Sequence, residues 1–251
     1  TNSTWDDASE RILSMKGQRG HLSESVMEQI LSSYSPHERE MRRYGRPSIG
    51  SGLVFPLGEE KVMVEPFPIE DHWPRIAAID FGWDHPTAVV WCAIDRESET
   101  FYIYDCYRAS KASPTVHAGV IRTRPHFIPI AYPHDGNRRD SMGNPGLADQ
   151  YRNMGCNFLL EHFTNPPALG NNKGSSSIEE GLMAMLQSIE GEKFKVFSTL
   201  HDWFEEFRMY HRKDNKVVPL RDDLMSATRY AFQSQRFAIA GEDPAWTKDV
   251  E

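Results

Sequence analysis

Two aspartates in this chain stand where an apolar run ends close to a glycine. Asp80 closes the run 75–80, and Asp135 follows the run 127–132 and directly precedes Gly136. Both patterns are typical of a strand that runs into a turn. A buried carboxylate loses several kcal/mol of hydration unless it gains a hydrogen bond, an opposite charge or a metal ion, so each needs a partner. If the two strands are neighbours in one sheet, both carboxylates emerge at the same edge.

A third group of acids begins the last predicted helix, in which Asp222 and Asp223 lie close to the start. Converging carboxylates repel one another when they are ionised, and divalent cations resolve that repulsion. A ligand set made only of oxygens favours Mg²⁺ or Mn²⁺ over zinc. Two such ions about 4 Å apart activate a water molecule and stabilise the leaving oxygen of a phosphodiester. The pattern indicates a two-metal site at Asp80 and Asp135 that the acids of the final helix close.

Each acid also has an ordinary structural explanation. An aspartate near a glycine is common in turns, which accounts for Asp80 or Asp135 alone as well as catalysis does. Asp222 and Asp223 alone are better explained as acids that cap a helix and complement its dipole. The joint occurrence of these positions, rather than any one of them, favours a site.

The composition limits the other function classes. The chain has 251 residues and a formal net charge of −8, so local basic clusters must supply any contact with nucleic acid. Its three cysteines are odd in number and lack zinc-finger spacing, which indicates neither a structural zinc nor a disulfide framework and favours a reducing compartment. No apolar run of about 18 residues occurs, so the sequence predicts a protein without a membrane span.

The spacing of apolar residues predicts an α/β fold with a mixed central sheet flanked by helices. Strands and helices alternate after a three-stranded meander. The predicted strands are 76–81, 87–94 and 100–107 for the meander, then 128–132, 158–162 and 194–197, and the predicted helices are 112–122, 145–154, 178–189, 203–210 and 221–232. We expect a short helical linker over 1–50, the main domain over 51–238 and a C-terminal tail over 239–251.

Four short motifs follow one another along the chain. They are Ile79-Asp-Phe-Gly82 with Pro86-Thr-Ala-Val89, Tyr132-Pro-His-Asp-Gly136, Glu205-Glu-Phe-Arg-Met-Tyr210 and Asp222-Asp-Leu-Met-Ser-Ala-Thr-Arg-Tyr230. Their order resembles the nuclease half of the tailed-bacteriophage terminase large subunit, a DNA-packaging motor protein. The stretch from Thr4 to Pro56 resembles the segment that leaves the ATPase domain of those proteins.

The resemblance implies an RNase H-like fold and a metal-dependent endonuclease that cuts concatemeric viral double-stranded DNA. By position, the implied catalytic acids are Asp80 of the first strand, Asp135 after the fourth strand and Asp223 of the last helix. Many relatives carry an acid immediately before the Ala-x-Arg-Tyr stretch, where this chain has Ser226. The metal ligand therefore moves to Asp222 or Asp223, and since one residue turns a helical side chain by about 100°, the two are not equivalent.

The resemblance also implies cofactors and partners. The cofactors are two Mg²⁺ or Mn²⁺ ions, with ATP acting only through an N-terminal ATPase domain that we expect to be missing, since no Gly-x-x-x-x-Gly-Lys-Ser/Thr occurs. The partners are double-stranded DNA, the portal protein, the small terminase subunit and the ATPase domain, with no membrane, in the host cytoplasm. For DNA we predict phosphate contacts by Arg138, Arg139 and Lys173.

Two alternatives from other classes remain open on the sequence alone. Asp80-x-Gly82 followed by Thr87 also resembles the phosphate-binding hairpin of an actin- or kinase-like ATP-binding phosphotransferase, although the late Gly-Gly adenosine loop of that fold is missing. The second alternative is a non-catalytic RNase H-like adaptor, in which the acids only shape turns.

Overall fold

The computed structural model describes residues 52–137, 145–166, 174–213 and 216–241. The chain divides into two compact units, of which the larger comprises 58–210 and 215–251 and the smaller comprises 1–57 and 211–214. In the smaller unit, Leu53 pairs with His211 in an isolated bridge. The predicted linker over 1–50 and most of the predicted tail over 239–251 lie outside the described residues.

A six-stranded mixed sheet forms the centre of the larger unit. Its spatial order is β1-β6-β4-β3-β2-β5. The strands β2, β3 and β4 form the antiparallel meander that the sequence predicts, while β5 is parallel to β2, and β6 is parallel to both β4 and β1. The strands are β1 (Met63–Val64), β2 (Arg75–Asp80), β3 (Thr87–Asp95), β4 (Thr100–Ala109), β5 (Ile130–Ala131) and β6 (Phe194–Phe197).

In the part of the chain that the structure describes, five helices lie between and after these strands. All five predicted helices are confirmed with shifted ends, and in the described ranges none is long and apolar enough to cross a bilayer. Two short strands, β7 and β8, precede the last helix. The bounds are α1 (Pro114–Ile121), α2 (Leu147–Asn153), α3 (Ile178–Glu190), α4 (His201–Met209), β7 (Arg212–Lys213), β8 (Lys216–Val217) and α5 (Asp223–Gln233).

The predicted strand over 158–162 is wrong. Within the described residues this segment contributes one isolated parallel bridge, between Phe158 and Ile130. The next bond of a longer ladder would run from the Tyr132 N–H to the Leu159 carbonyl, but that carbonyl accepts from the Arg152 guanidinium. The adjoining Leu160 carbonyl accepts from Arg152 at 3.2 Å and from the Tyr132 hydroxyl at 3.1 Å, which holds this segment outside the sheet.

The two faces of the sheet pack against different helices. On one face Ala77 and Ile79 of β2 join a buried cluster with residues of α1 and α2. Since strand side chains alternate between faces, Asp80 points to the opposite face. That face is covered by α5, which packs on β2 and β3 and is buried over nearly its whole length. The alternation of β2 therefore directs the carboxylate of Asp80 toward α5.

The turn after β2 depends on the small size of Gly82. Its N–H donates to the Thr87 hydroxyl at 3.1 Å, and that hydroxyl donates back to the Gly82 carbonyl at 2.9 Å. A Cβ at this position would lie 2.6 Å from the Pro86 carbonyl oxygen and closer still to that of His85. Both neighbours are backbone atoms and cannot move aside as a flexible side chain does.

We expect Gly82→Ala to lower the free energy of unfolding by about 1–3 kcal/mol, because the added methyl group overpacks the turn. In a thermal melt each kcal/mol corresponds to about 2–4 °C in a domain of this size. Gly119→Ala is the matched control, since its Cβ meets nothing within 4 Å in the middle of α1 and alanine favours a helix by about 0.5–1 kcal/mol over glycine. Equal effects of the two substitutions would contradict the steric explanation.

Candidate active site

The strands that lead to Asp80 and Asp135 are neighbours, which is the condition that the predicted site requires. In the parallel β2–β5 ladder, Ala77 pairs with Ile130 and Ala78 with Ala131, so both chains leave the sheet at the same edge. Asp80 is the last residue of β2, and Asp135 lies in a 3₁₀ turn shortly after β5. The two predicted acids therefore project from one edge of the sheet.

Gly136 brings the turn that carries Asp135 close to the end of β2. A Cβ at Gly136 would lie 2.7 Å from the rings of both Phe81 and Tyr132. Phe81 follows Asp80 directly in the chain. The absence of a side chain at Gly136 therefore allows the two acidic turns to pack together.

Helix α5 adds the second pair of acids to this edge. Asp222 is the N-cap residue of α5 and Asp223 its first helical residue, with Asp223 only 7% exposed. Both lie within electrostatic reach of Asp80, and the Tyr230 hydroxyl of the same helix also acts on the Asp80 carboxylate. The other three predicted acids, Asp135, Asp222 and Asp223, thus all act electrostatically on Asp80.

The surroundings of Asp80 change its pKa. Its pKa is raised from the ordinary range of an aspartate to about 8. Burial is the largest cause, and the negative charges of Asp223, Asp135 and Asp222 follow in that order, while the Tyr230 hydroxyl favours the charged form and acts in the opposite direction. Without a cation, the site therefore favours a protonated Asp80 near neutral pH.

The two helix acids are perturbed in the same direction. Burial is the largest cause that raises the pKa of Asp222 and of Asp223, and for Asp222 the charge of Asp223 adds to it. Positive groups offset part of this effect: His85 acts on both acids, while Arg108 acts on Asp223 and Arg229 acts on Asp222. From the sequence alone His85 is an ordinary loop histidine, because the two acids on which it acts lie more than 130 positions later in the chain.

The chemistry of the donors fits a hard divalent cation, since all four side chains offer carboxylate oxygens under mutual repulsion. The positions of the side chains do not form a closed ligand set: among the residues that the structure describes, no three His, Cys, Asp or Glu side chains are grouped so as to hold one ion. Adjustment of these side chains would have to complete such a set.

Glu206 and Arg108, which the sequence does not single out, hold the start of α5: Glu206 contacts the helix directly, and Arg108 contacts Glu206. Glu206 of α4 is fully buried, and its carboxylate accepts hydrogen bonds from the backbone N–H groups of Leu224 and Met225 and from Arg108. Arg108, at the end of β4, also donates to Asp202 and to Glu205. A signal for Glu206 was present, because it lies three residues after Trp203 and four before Tyr210 on the apolar stripe of its helix.

The three predicted DNA contacts, Arg138, Arg139 and Lys173, all lie outside the described residues.

Comparison with known proteins shows the family to which this chain belongs. Residues 77–235 match the model of the terminase RNaseH-like domain. The chain is 37% identical over 219 residues to the terminase large subunit of Salmonella phage P22, which is 87% of this chain and 43% of that protein. Its identity to the terminase large subunit of Enterobacteria phage LP7 is also 37%, over 84% of this chain and 44% of that protein. The chain therefore spans less than half the length of these curated relatives.

Solved structures show the same relation. The P22 large terminase nuclease domain matches with a TM-score of 0.68 and 35% identity, over 76% of this chain and 96% of that one. The large terminase nuclease domain of bacteriophage SPP1 with bound Mn shares the fold at 17% identity, with a TM-score of 0.53, over 70% of this chain and 98% of that one. The chain belongs to the terminase RNaseH-like domain family, and its mixed six-stranded sheet with flanking helices is the RNase H-like nuclease fold of that family.

Proposed function

We propose that this chain is a metal-dependent endonuclease that cuts concatemeric double-stranded DNA for a viral packaging motor. The observation that carries the proposal is the convergence of Asp80, Asp135, Asp222 and Asp223 at one edge of the sheet, where their charges and burial raise the pKa of Asp80 to about 8. A protein gains nothing in stability from four such acids at one place, whereas a site for divalent cations and phosphodiesters requires them.

Asp80, Asp135 and Asp223 are the proposed catalytic acids, and Asp222 is the fourth proposed metal ligand. Two Mg²⁺ or Mn²⁺ ions, when bound, would supply an activated water and charge stabilisation for the leaving oxygen. The chain's own residues hold the acids in place. Asp80 is held at the end of β2 within electrostatic reach of the other three, and the buried first turn of α5 fixes Asp223.

The relatives support this proposal by their names and structures. The P22 domain at 35% identity is described as a nuclease domain, and the SPP1 nuclease domain was solved with bound Mn. Mn²⁺ is the natural ion for a first test, because the SPP1 nuclease domain was solved with it. The proposed motor also includes an ATPase domain, the portal protein and the small terminase subunit, and this chain corresponds to less than half of the length of the curated relatives.

Membership in a terminase family argues against the actin- or kinase-like alternative. The non-catalytic adaptor is the alternative that an experiment must separate, because an adaptor can keep the same sheet without cleaving DNA. The raised pKa of Asp80 speaks against it, since acids that only shape turns have no reason to be gathered and buried together.

We expect Asp80→Asn, Asp135→Asn and Asp223→Asn each to lower the rate of Mn²⁺-dependent cleavage of plasmid DNA by about a hundredfold or more, because each removes a charged ligand and with it several kcal/mol of transition-state stabilisation. Glu97→Gln, in the turn after β3 at the far end of that strand, is the matched control and should cleave normally. Retained cleavage in the Asp80 and Asp135 variants would exclude the mechanism. Absence of cleavage by the unmodified chain under any divalent cation would favour the adaptor.

The same pKa predicts how stability depends on pH without a cation. Between about pH 4, the value for an unfolded aspartate, and about pH 8, the folded state binds more protons at Asp80 than the unfolded state does. Stability contributed by this group is therefore lost as the pH rises through that window. The side chain of the Asp80→Asn variant stays neutral at every pH. The melting temperature of this variant minus that of the unmodified protein, both measured with a chelator present, should therefore increase from pH 5 to pH 8. A constant difference would show that Asp80 is not buried among like charges.

Arg138 and Arg139 remain the proposed phosphate contacts, since they follow the turn that carries Asp135. Each phosphate contact contributes about 0.9 to the slope of log affinity against log salt concentration. Combined replacement by alanine should therefore reduce that slope by about 2 and weaken binding of all DNA sequences alike. Arg96→Ala, in the turn after β3, serves as the control. A change of sequence preference instead of salt dependence would count against phosphate contacts.

A further inference from the structure

The start of α5 is capped in an unusual way. The N-cap residue of a helix ordinarily uses its own side chain to accept the N–H groups of the second and third helical residues. In α5 these are the N–H groups of Leu224 and Met225, and the N-cap residue is Asp222, an amino acid well suited to that role. Within the described part of the chain, however, the Asp222 carboxylate makes no capping hydrogen bond.

A side chain from another helix takes both of these donors. One carboxylate oxygen of Glu206 accepts from Leu224 N at 2.7 Å and from Met225 N at 3.3 Å. Its other oxygen accepts from Arg108 at 3.0 Å. Glu206 is fully buried, so it cannot exchange these partners for water. The N–H groups of Leu224 and Met225, which have no acceptor within α5, are therefore hydrogen-bonded by a side chain of α4.

We propose that Glu206 is a positioning residue that caps α5 in place of Asp222 and so leaves the Asp222 carboxylate free for the acidic edge of the sheet. A capping aspartate turns a carboxylate oxygen toward its own helix, and that oxygen is then less available to a cation. Because Glu206 accepts these N–H groups, the carboxylate of Asp222 does not have to. The consequence for cation binding rests on the proposed function, whereas the capping itself does not.

The charges around Glu206 are arranged to hold it in this role. Arg108 contacts Glu206 and also pairs with Asp202 at 3.0 Å and with Glu205 at 2.6 Å, so its guanidinium is fixed by three acids of α4. Because helix N-termini carry partial positive charge, a buried carboxylate at this position complements both the helix and Arg108. Arg108 additionally lowers the pKa of Asp223, which links the cap to the acids above it.

A double-mutant cycle in a chelating buffer at pH 7.5 tests the cap without any need for cleavage. Asp222→Ala alone should leave the melting temperature unchanged or raise it, because it removes a carboxylate among like charges and no cap. In the Glu206→Ala background, Asp222 becomes the available cap, so Asp222→Ala should lower the melting temperature by about 2–6 °C. Loss of several degrees on Asp222→Ala in the unmodified protein would overturn the proposal, and this result is obtained even if Glu206→Ala fails to fold.

The metal dependence of cleavage tests the consequence. Glu206→Gln keeps the shape of the side chain but must turn an NH₂ group toward either the helix N–H groups or Arg108. We expect it to raise the Mn²⁺ concentration for half-maximal cleavage about 10-fold or more, with a smaller effect on the rate at saturating Mn²⁺. Glu205→Gln is the matched control: it removes the same charge from the same helix and weakens contacts to Arg108 and Arg221, but Glu205 touches no N–H group of α5.

The outcomes separate the two proposals. If the unmodified protein does not cleave with any divalent cation, the proposed function fails, and the melting cycle still decides whether Glu206 caps the helix. If cleavage requires Mn²⁺ but Glu206→Gln and Glu205→Gln have the same half-maximal concentration, Glu206 does not position Asp222. If Glu206→Gln lowers only the maximal rate of cleavage, less of the protein is folded and active but its metal affinity is unchanged. Glu206 then serves folding and not the position of Asp222, and the proposal is overturned.

Discussion

Electrostatic repulsion among four carboxylates at one edge of the sheet is the constraint on which the rest of the site depends. Asp80 and Asp135 reach that edge because β2 and β5 are adjacent and parallel, and Asp222 and Asp223 reach it because α5 crosses the same face. Burial makes the repulsion stronger, since less water screens it. Burial first and this repulsion second raise the pKa of Asp80 to about 8.

The acids cannot relieve the repulsion by moving apart, because the elements that carry them are tied on several sides. The Trp203 indole N–H of α4 donates to the Thr228 hydroxyl of α5 at 2.8 Å in a fully buried contact. Glu206 fastens the first turn of the same helix. A shift of α5 away from the sheet would break these bonds and open a cavity in the core, which costs more than protonating one carboxylate. The repulsion is therefore relieved by protonation of a carboxylate, which is why the pKa of Asp80 is raised.

The sequence was informative wherever local pattern decides the structure. The meander and the position of Asp80 at the end of β2 follow from alternation and turn residues. The adjacency of β2 and β5 was only a condition of the predicted site, because local pattern does not decide which strands become neighbours. The strand expected over 158–162 failed because the side chain of Arg152, on a neighbouring helix, takes its carbonyl acceptors. The cap at α5 could not be predicted either, because Glu206 is a partner from outside the helix and local rules assign that role to Asp222.

The role of Asp222 shows why a local rule and the tertiary structure can disagree at a functional site. An aspartate at an N-cap position normally stabilises its helix by accepting two N–H groups, and its removal then costs stability. Here Glu206 already accepts them, so Asp222 adds repulsion without adding a cap. Such a residue is retained in a folded protein only at a cost to stability, and the compensation must come from something that binds the folded state. The proposed divalent cations would supply that compensation, because they bind the same carboxylates that repel one another in their absence.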